Sequence, residues 1–371
     1  MAVTDTDATE RVEPEPVAAQ DPSVSPVVDH HAATLHSPVP TVAHHAPAPM
    51  RTQEPDRATH GVKLAKISRT GDRIFRSLAT TSGLAIVLLV LFVGFFLLAL
   101  ALPSLRADQD SFLTSRSWTV AGNELRFGIA GLFWTTVLSS ILAMAMAVPV
   151  AIGVALCLTQ YLHKRLAGPV SFVVDLLAAV PSIIFGLWGL TVLGPFLAPG
   201  AEWLIDKLGW IPLFSRSVDP KGSVFVASVV LAIMILPIVI AISRDVFAQT
   251  PREHIEAALA LGATRWEVIR TAVLPHGRSG VVSASMLGLG RALGETIAVM
   301  IILTTPAAGS PFSPSIFAGG ETFASKIANN AAEFDSPSKT GAYIAAGLVL
   351  FVVTFAVNAI ARIIAERGSK S

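Results

Sequence analysis

The sequence predicts an all-α membrane protein built as a bundle of six membrane-spanning helices. Hydrophobic residues make up 52% of the 371 residues and charged residues only 14%, whereas soluble domains carry about 25% charged residues. Mean hydropathy is positive. The apolar residues are also concentrated in six segments, each long enough to cross ~30 Å of hydrocarbon as a helix.

The six segments run over about 82–102, 132–158, 170–193, 223–243, 281–303 and 341–363. Pro103 is expected to end the first helix, because proline lacks the N–H that continues a helix. Pro149, Pro181 and Pro237 fall inside later segments. They predict kinks, which serve either as hinges or as packing irregularities, since membrane helices tolerate proline where neighbours satisfy the backbone.

The first 62 residues differ from the rest of the chain. Residues 1–62 are rich in Pro, Ala, Asp, Glu and His and poor in large apolar side chains. Such a segment buries too little surface to offset its ordering entropy, so we expect a disordered acidic tail. A basic juxtamembrane segment, 63–81, follows, and we expect the membrane domain itself over 82–367.

Basic residues predict the orientation, because Lys and Arg are enriched in cytoplasmic loops. They form four groups: Lys63, Lys66, Arg69, Arg73 and Arg76; Lys164 and Arg165; Arg244, Arg252, Arg265, Arg270 and Arg278; and Arg362, Arg367 and Lys370. With six spans, all four groups lie on one side of the membrane. We therefore predict that both termini are cytoplasmic, in a cell membrane.

The fifth segment carries charge at membrane depth. Residues 288–296 read G-L-G-R-A-L-G-E-T, with Arg291 near the middle and Glu295 four residues later. A charge there costs at least ~2.5–3.5 kcal/mol, which indicates a function or a pairing. On a continuous helix the two side chains share a face and can pair. The segment therefore predicts either an anion path, with Arg291, Glu295 and the Thr296 hydroxyl, or a structural ion pair.

Three glycines on this segment predict close helix packing. Gly290 and Gly294 form a G-x-x-x-G pattern, and Gly288 precedes them. Small residues at this spacing let two membrane helices approach closely. We therefore expect another helix to pack closely against this segment.

A loop on the predicted cytoplasmic side, 244–280, reads as two short helices. Pro251 suits the start of the first helix, and Gly262 ends it. Thr264 is expected to cap a second helix that stops at Pro275. Ile255, Leu259, Trp266 and Ile269 supply apolar anchors for a partner surface.

This loop resembles that of ABC importer permeases. Their pattern of Glu-Ala-Ala, a glycine after three residues, and a later Leu-Pro is matched by Glu256, Ala257, Ala258, Gly262, Leu274 and Pro275. Ala272 stands where isoleucine is usual. The resemblance implies a type I importer permease (MetI-like) architecture and a loop that docks as a coupling helix on an ATPase subunit.

The 288–296 stretch, with Ala324-Ser325-Lys326-Ile327-Ala328-Asn329, resembles the phosphate permease family PstC. That resemblance implies import of inorganic phosphate with a homologous PstA-type permease, a PstB-type ATPase dimer and a PstS-type phosphate-binding protein. The guanidinium of an arginine matches an oxyanion with two parallel hydrogen bonds, which suits phosphate.

Several chemistries are excluded or left open. The sequence has no G-x-x-x-x-G-K-[ST] motif and one cysteine, Cys157, so we expect no cofactor or metal in this chain and no enzymatic activity, with ATP and Mg bound by the ATPase. Three alternatives remain: a permease for sulfate or molybdate, a secondary transporter with a proton relay, and a phosphate-sensing membrane protein.

Overall fold

The computed structural model describes residues 69–120, 125–216, 218–307 and 310–368. The predicted tail at 1–62 lies outside these residues, as do Lys63, Lys66 and Lys370 of the basic groups. Within the described ranges the chain is mainly helical, and five stretches are long and apolar enough to cross a membrane: Gly71–Ala107, Ala130–Tyr161, Ser182–Leu208, Val224–Ala248 and Pro337–Ile363.

Twelve α-helices and one hairpin make up this part of the chain. The helices are α1 (Arg69–Ala107), α2 (Ala130–Leu156), α3 (Lys164–Ala178), α4 (Ser182–Trp188), α5 (Gly194–Leu208), α6 (Val224–Ala248), α7 (Arg252–Ala260), α8 (Arg265–Val268), α9 (Leu274–Gly294), α10 (Ile297–Ile302), α11 (Phe323–Asn329) and α12 (Pro337–Gly368). Strands β1 (Trp118–Thr119) and β2 (Arg126–Phe127) pair antiparallel. Five-residue π turns at 157–161, 189–193 and 269–273 extend α2, join α4 to α5 and join α8 to α9.

Prolines act differently from the sequence prediction in the first and third spans. Pro103 does not end α1, which continues to Ala107, as membrane helices can where neighbours supply hydrogen bonds. Pro181 lies not inside a span but in the break between α3 and α4, with extended ψ of 139°. Because a proline disfavours helix at the residue before it, α3 ends there. The third span therefore runs over Ser182–Leu208 instead of 170–193.

The fifth predicted span is two helices. α9 ends at Gly294, Glu295 is extended with φ of −67° and ψ of 126°, and α10 begins at Ile297. The prediction that Glu295 lies one helical turn beyond Arg291 on the same face is therefore wrong. Glycine has the weakest helix propensity after proline, and the Glu295 carboxylate accepts a hydrogen bond from the Ala298 N–H at 3.2 Å. That bond satisfies a donor exposed by the break.

Helix α6 forms the centre of the bundle. It packs on α2, α9 and α3, and 14 of its 25 residues are buried. The face of α2 toward this core carries Ala143, Ala147, Ala151 and Ala155, each at most 1% exposed. Because apolar burial drives little association within lipid, close contact through such small residues is what holds membrane helices together.

We expect Ala147→Leu to destabilise the bundle. Ala147 is 1% exposed within the core formed with Ala227, Val230 and Leu231, so a larger side chain forces overpacking that costs roughly 1–3 kcal/mol. Thermal unfolding in detergent measures the effect. Ile141→Leu is the matched control, because Ile141 on the same helix is 58% exposed. Equal melting temperatures for the two variants would contradict the packing described.

The ends of the bundle form two distinct faces. The loop face is formed by the described residues between 108 and 129, between 209 and 223 and between 303 and 336. The second and third of these segments hydrogen bond to each other, as in Thr304 N–H to Gly222 O at 2.9 Å. The knob face consists of α7, α8 and the ends of α2 and α6, where Ile269 and Val273 pack on Phe247. Alternate spans therefore present their connections to opposite faces.

Candidate functional site

The loop between α6 and α9 forms a projecting knob from α7 and α8. Gly262, between the helices, has φ of +82°, a conformation that costs other residues roughly 1–2 kcal/mol. Thr264 begins α8 through a capping box: its N–H donates to the Glu267 carboxylate at 2.7 Å and its hydroxyl accepts from the Glu267 N–H at 3.4 Å. The backbone hydrogen bond from Thr264, with that from its hydroxyl, lowers the pKa of Glu267, so the cap is intact at neutral pH and weakens as pH falls through that lowered value.

The second knob helix does not stop at Pro275 as the sequence analysis expected. The chain passes from α8 through the π turn 269–273 into α9, with Pro275 in the first turn of α9. A proline ring clashes with the carbonyl four residues earlier in a regular helix. The wider π turn, in which the Leu274 N–H bonds to Ile269 O, leaves room for that ring. The knob is thus continuous with the helix that carries Arg291.

The outer surface of the knob is apolar and is not covered by the part of the chain that the structure describes. Leu259 is 49% exposed, Leu261 89% and Trp266 58%, and α7 buries none of its residues. Glu256, Ala257 and Gly262 are exposed, and Ala258 is partly buried. Ile269 instead is 1% exposed and packs on Phe247, so it anchors the knob to the bundle and not to a partner.

Three features of the knob and of the adjoining start of α9 were not predicted from the sequence. Leu261, the most exposed of its large apolar residues, sits beside the expected Leu259. Gly277 and Gly280 lie against Phe247 and Val246 so closely that a Cβ at either position would overlap those side chains. The i, i+3 spacing of these glycines on α9 was the available signal. They fix the first turns of α9 against α6.

Arg291 lies on an uncovered stripe of α9. The neighbouring row of the helix, with Ala284, Gly288 and Ala292, is buried, and a Cβ on Gly288 would meet Val239 of α6 at 3.0 Å. The stripe itself shares the four-residue spacing of one helix face and comprises Ser279, Ser283, Leu287 and Arg291, all exposed. A cation at membrane depth on such a stripe needs a partner or a polar path.

The glycines and hydroxyls near Arg291 have distinct surroundings. A Cβ on Gly290 or Gly294 would meet nothing within 4 Å, so neither glycine makes a close helix contact within the described chain. The hydroxyl of Ser283 donates to Ser279 O at 3.0 Å, and that of Thr296 to Gly294 O at 3.1 Å. These hydroxyls satisfy their own helix or turn. The two open glycines extend the uncovered stripe around Arg291.

Glu295 and Arg291 lie in different environments. Its residue exposure is 9%, whereas Arg291 is exposed. Among the ion pairs formed by the described residues, none joins Arg291 to Glu295. The hydrogen bond from the Ala298 N–H instead holds Glu295 at the start of α10, where Ala298 packs against Gly186 of α4.

We expect Glu295→Ala to lower stability and Glu295→Gln to preserve most of it. Ala298 is fully buried, and a buried N–H left without an acceptor costs about 1–3 kcal/mol. Glutamine keeps a carbonyl oxygen at the position of the carboxylate. The melting temperature in detergent measures both. An equal loss of melting temperature in the two variants would show that the negative charge of Glu295, and not its hydrogen bond with the Ala298 N–H, stabilises the break between α9 and α10.

The loop face contains a cavity of about 630 Å³ between the hairpin, the start of α2 and the 303–321 segment. Arg116, Lys326, Glu321, Thr304 and Phe312 are among its lining residues. Residues 324–329 stand out in the sequence through the family resemblance, but nothing in the sequence predicts a cavity there. Its walls come from segments far apart in the chain, which no local pattern brings together.

Comparison with known proteins supplies the family. Residues 147–370 match the family described as the binding-protein-dependent transport system inner membrane component. The chain belongs to that family. Its members are permease subunits, which agrees with the helical bundle and the projecting knob.

Individual relatives within this permease family are phosphate transport proteins. The phosphate transport system permease proteins PstC 2 of Mycobacterium tuberculosis and Mycobacterium bovis are each 56% identical over 302 residues, which cover 80% of this chain and 93% of theirs. The permease protein PstC of Mesorhizobium japonicum is 40% identical over 299 residues, covering 78% of this chain and 89% of its own.

A solved structure shares the fold of this permease. It is the bacterial alginate ABC transporter in complex with an alginate-pentasaccharide-bound periplasmic protein. The TM-score is 0.54 at 17% identity, over 82% of this chain and 99% of that one. The similarity supports the all-α, MetI-like architecture. The predicted count of six spans is compatible with this fold, although five candidate spans occur among the described residues.

Proposed function

We propose that this chain is the permease subunit of an ATP-driven importer and that inorganic phosphate is its cargo. The observation that carries the proposal is family membership together with 56% identity, over most of the chain, to proteins named phosphate transport system permease PstC. The partners would be a homologous PstA-type permease, a PstB-type ATPase dimer that binds ATP and Mg, and a PstS-type binding protein. The chain itself performs no covalent chemistry.

The orientation follows from charge. The knob face carries Arg252, Arg265, Arg270 and Arg278 near α7 to α9, and basic residues mark the cytoplasmic side. With the knob in the cytoplasm, both termini are cytoplasmic and the loop face is external. The knob would then dock on the ATPase through Glu256 to Gly262, with Leu274 and Pro275 at its junction with α9.

Arg291 is assigned to the cargo path and Glu295 to structure. Ser283, Leu287 and Arg291 form a stripe that no described residue covers, so a second permease packed there would enclose Arg291 between the two subunits. Its guanidinium can then offset part of the desolvation of a passing phosphate. Glu295 and Thr296 are bonded within their own turn and position α10. Gly290 and Gly294 leave room for the second subunit to approach closely.

The test is uptake by the reconstituted complex. The four components are placed in liposomes with ATP inside and the binding protein outside, and radiolabelled phosphate is followed with and without ATP. We expect ATP-dependent phosphate uptake that excess sulfate does not inhibit. Preferred uptake of sulfate or molybdate would assign another oxyanion, and uptake driven by a proton gradient without ATP would make the chain a secondary transporter. ATP hydrolysis that responds to phosphate without uptake would indicate a sensor.

A further inference from the structure

The cavity of the loop face has no role in the function proposed above. Its volume is about 630 Å³, which accommodates a small oxyanion together with several waters, since a water takes about 30 Å³ of liquid volume. It is built by the hairpin region, the first turns of α2 and the segment that follows α10. A cavity with charged residues in its lining, on the external side of an importer, raises the question of what occupies it.

The walls are held in place by backbone hydrogen bonds. The Thr304 N–H donates to Gly222 O at 2.9 Å, and Thr304 O accepts from the Gly320 N–H at 3.0 Å. The Val224 N–H donates to Ala318 O at 2.9 Å. A Cβ on Gly319 would overlap Thr304 O, so the chain can approach this closely only without a side chain. The cavity is therefore preformed.

Among the described charged residues that line the cavity, one cation has no ionic partner. Lys326 Nζ lies 2.9 Å from Glu321 Oε2, and both side chains are only 12% exposed, so these two charges neutralise each other. Asn329 also donates to Glu321 at 3.5 Å. Arg116 forms no ion pair with the rest of the described chain; its guanidinium carbon lies 3.8 Å from the centroid of the Phe312 ring. The ring fixes the arginine without satisfying its N–H donors.

Hydroxyl donors accompany this cation. Thr304 and Thr305 line the same cavity and are exposed, and across the described residues their hydroxyls have no hydrogen-bonding partner in the protein. A planar arginine fork with nearby hydroxyls is the donor set that recognises a tetrahedral oxyanion.

We propose that this cavity is an external oxyanion site, in which Arg116, oriented by Phe312, and the hydroxyls of Thr304 and Thr305 bind phosphate weakly. The identity of the anion rests on the proposed function; the site itself rests on the cavity and its charges. Exposure keeps the affinity low because water screens the cation. A weak site suits an intermediate position, since an anion held tightly there would not proceed to Arg291.

The test uses a cysteine reporter in the full complex in lipid nanodiscs, without the binding protein. Cys157→Ser removes the one native cysteine, and Ala307→Cys places a thiol on the cavity wall. The rate of maleimide modification is measured with added phosphate against chloride at equal ionic strength. We expect phosphate to slow modification, and Arg116→Gln to weaken this protection about tenfold or more, as loss of a charge-assisted hydrogen bond does.

Arg106→Gln is the matched control, because Arg106 is exposed at the end of α1 on the same face and does not line the cavity. Its protection by phosphate should equal that of the parent. Absence of protection in the parent, or unchanged protection in Arg116→Gln, overturns the site. A separate arm adds phosphate-free binding protein to the same nanodiscs. Slower modification in that arm, with no effect of phosphate alone, also overturns the site and makes the cavity a docking contact. Because uptake is measured separately, uptake without protection rejects this site alone, and protection without uptake rejects the transport function alone.

Discussion

Arg291→Gln is expected to reduce ATP-dependent phosphate uptake at least tenfold while the complex still assembles and hydrolyses ATP. The guanidinium is exposed on the open stripe of α9, and no acidic partner among the described residues holds it. Its removal therefore leaves no buried charge unpaired among the described residues. Losing a cation that stabilises an anion in a low-dielectric path costs at least ~1.4 kcal/mol, which is a tenfold change. Uptake in liposomes and ATP hydrolysis by the same preparations measure the two effects.

The double variant Arg291→Gln with Glu295→Gln separates a path residue from a structural pair. If Arg291 serves the anion path, the double variant takes up no more phosphate than Arg291→Gln, and Glu295→Gln alone stays near the parent. Recovery of both assembly and uptake in the double variant would show that the two charges pair in the complex. Arg278→Gln, also exposed on α9 but next to the knob, controls for the loss of one positive charge on this helix.

Leu261→Asp is expected to release the ATPase from the complex and to lower uptake at least tenfold. Leu261 is 89% exposed at the tip of the knob, so the change leaves the packing of this chain intact. Within an interface with the ATPase, a carboxylate in place of leucine loses apolar contact and has to be desolvated, and a cost of about 1.4 kcal/mol already weakens binding tenfold. ATPase content after affinity purification in detergent measures the binding.

Leu113→Asp is the control for this substitution. Leu113 is 68% exposed on the loop face, the side opposite the knob, and the same chemical change there should leave the ATPase content at the parent level. Full retention of the ATPase by Leu261→Asp would show that the docking surface does not include this tip. Trp266→Ala would then test the other exposed large side chain, on α8.

The sequence was sufficient for the elements defined by composition or by local chemistry. Membrane spans are recognisable because a bilayer requires about 20 apolar residues in a row, and the structure places α1, α2, α6 and α12 where the apolar segments are. The start of α8 was also predictable, because Thr264 and Glu267 make the capping box between residues three apart. The resemblance to importer permeases depended on a local pattern, Glu256 to Pro275. The comparisons confirmed that the chain belongs to this family.

The same reasoning failed where a short sequence permits two conformations. An apolar run through Gly294 reads as one helix, yet the chain breaks at Glu295 because the Ala298 N–H finds a carboxylate acceptor and α10 packs against Gly186 of α4. Pro181 likewise reads as a kink within a span, although α3 ends before it. Contacts with residues distant in sequence decide both cases, and periodicity contains no information about them.

By itself the sequence determined the class, the membrane character and the family of this protein, because hydrophobic length and residue spacing are properties of the linear chain. The tertiary structure alone decided which faces of α9 are covered, so that Arg291 is open while Glu295 is buried. It also brought Arg116, Phe312 and Thr304 to one cavity across nearly 200 positions of sequence. Burial and proximity of this kind arise only when helices pack, since each depends on side chains that a neighbouring segment contributes.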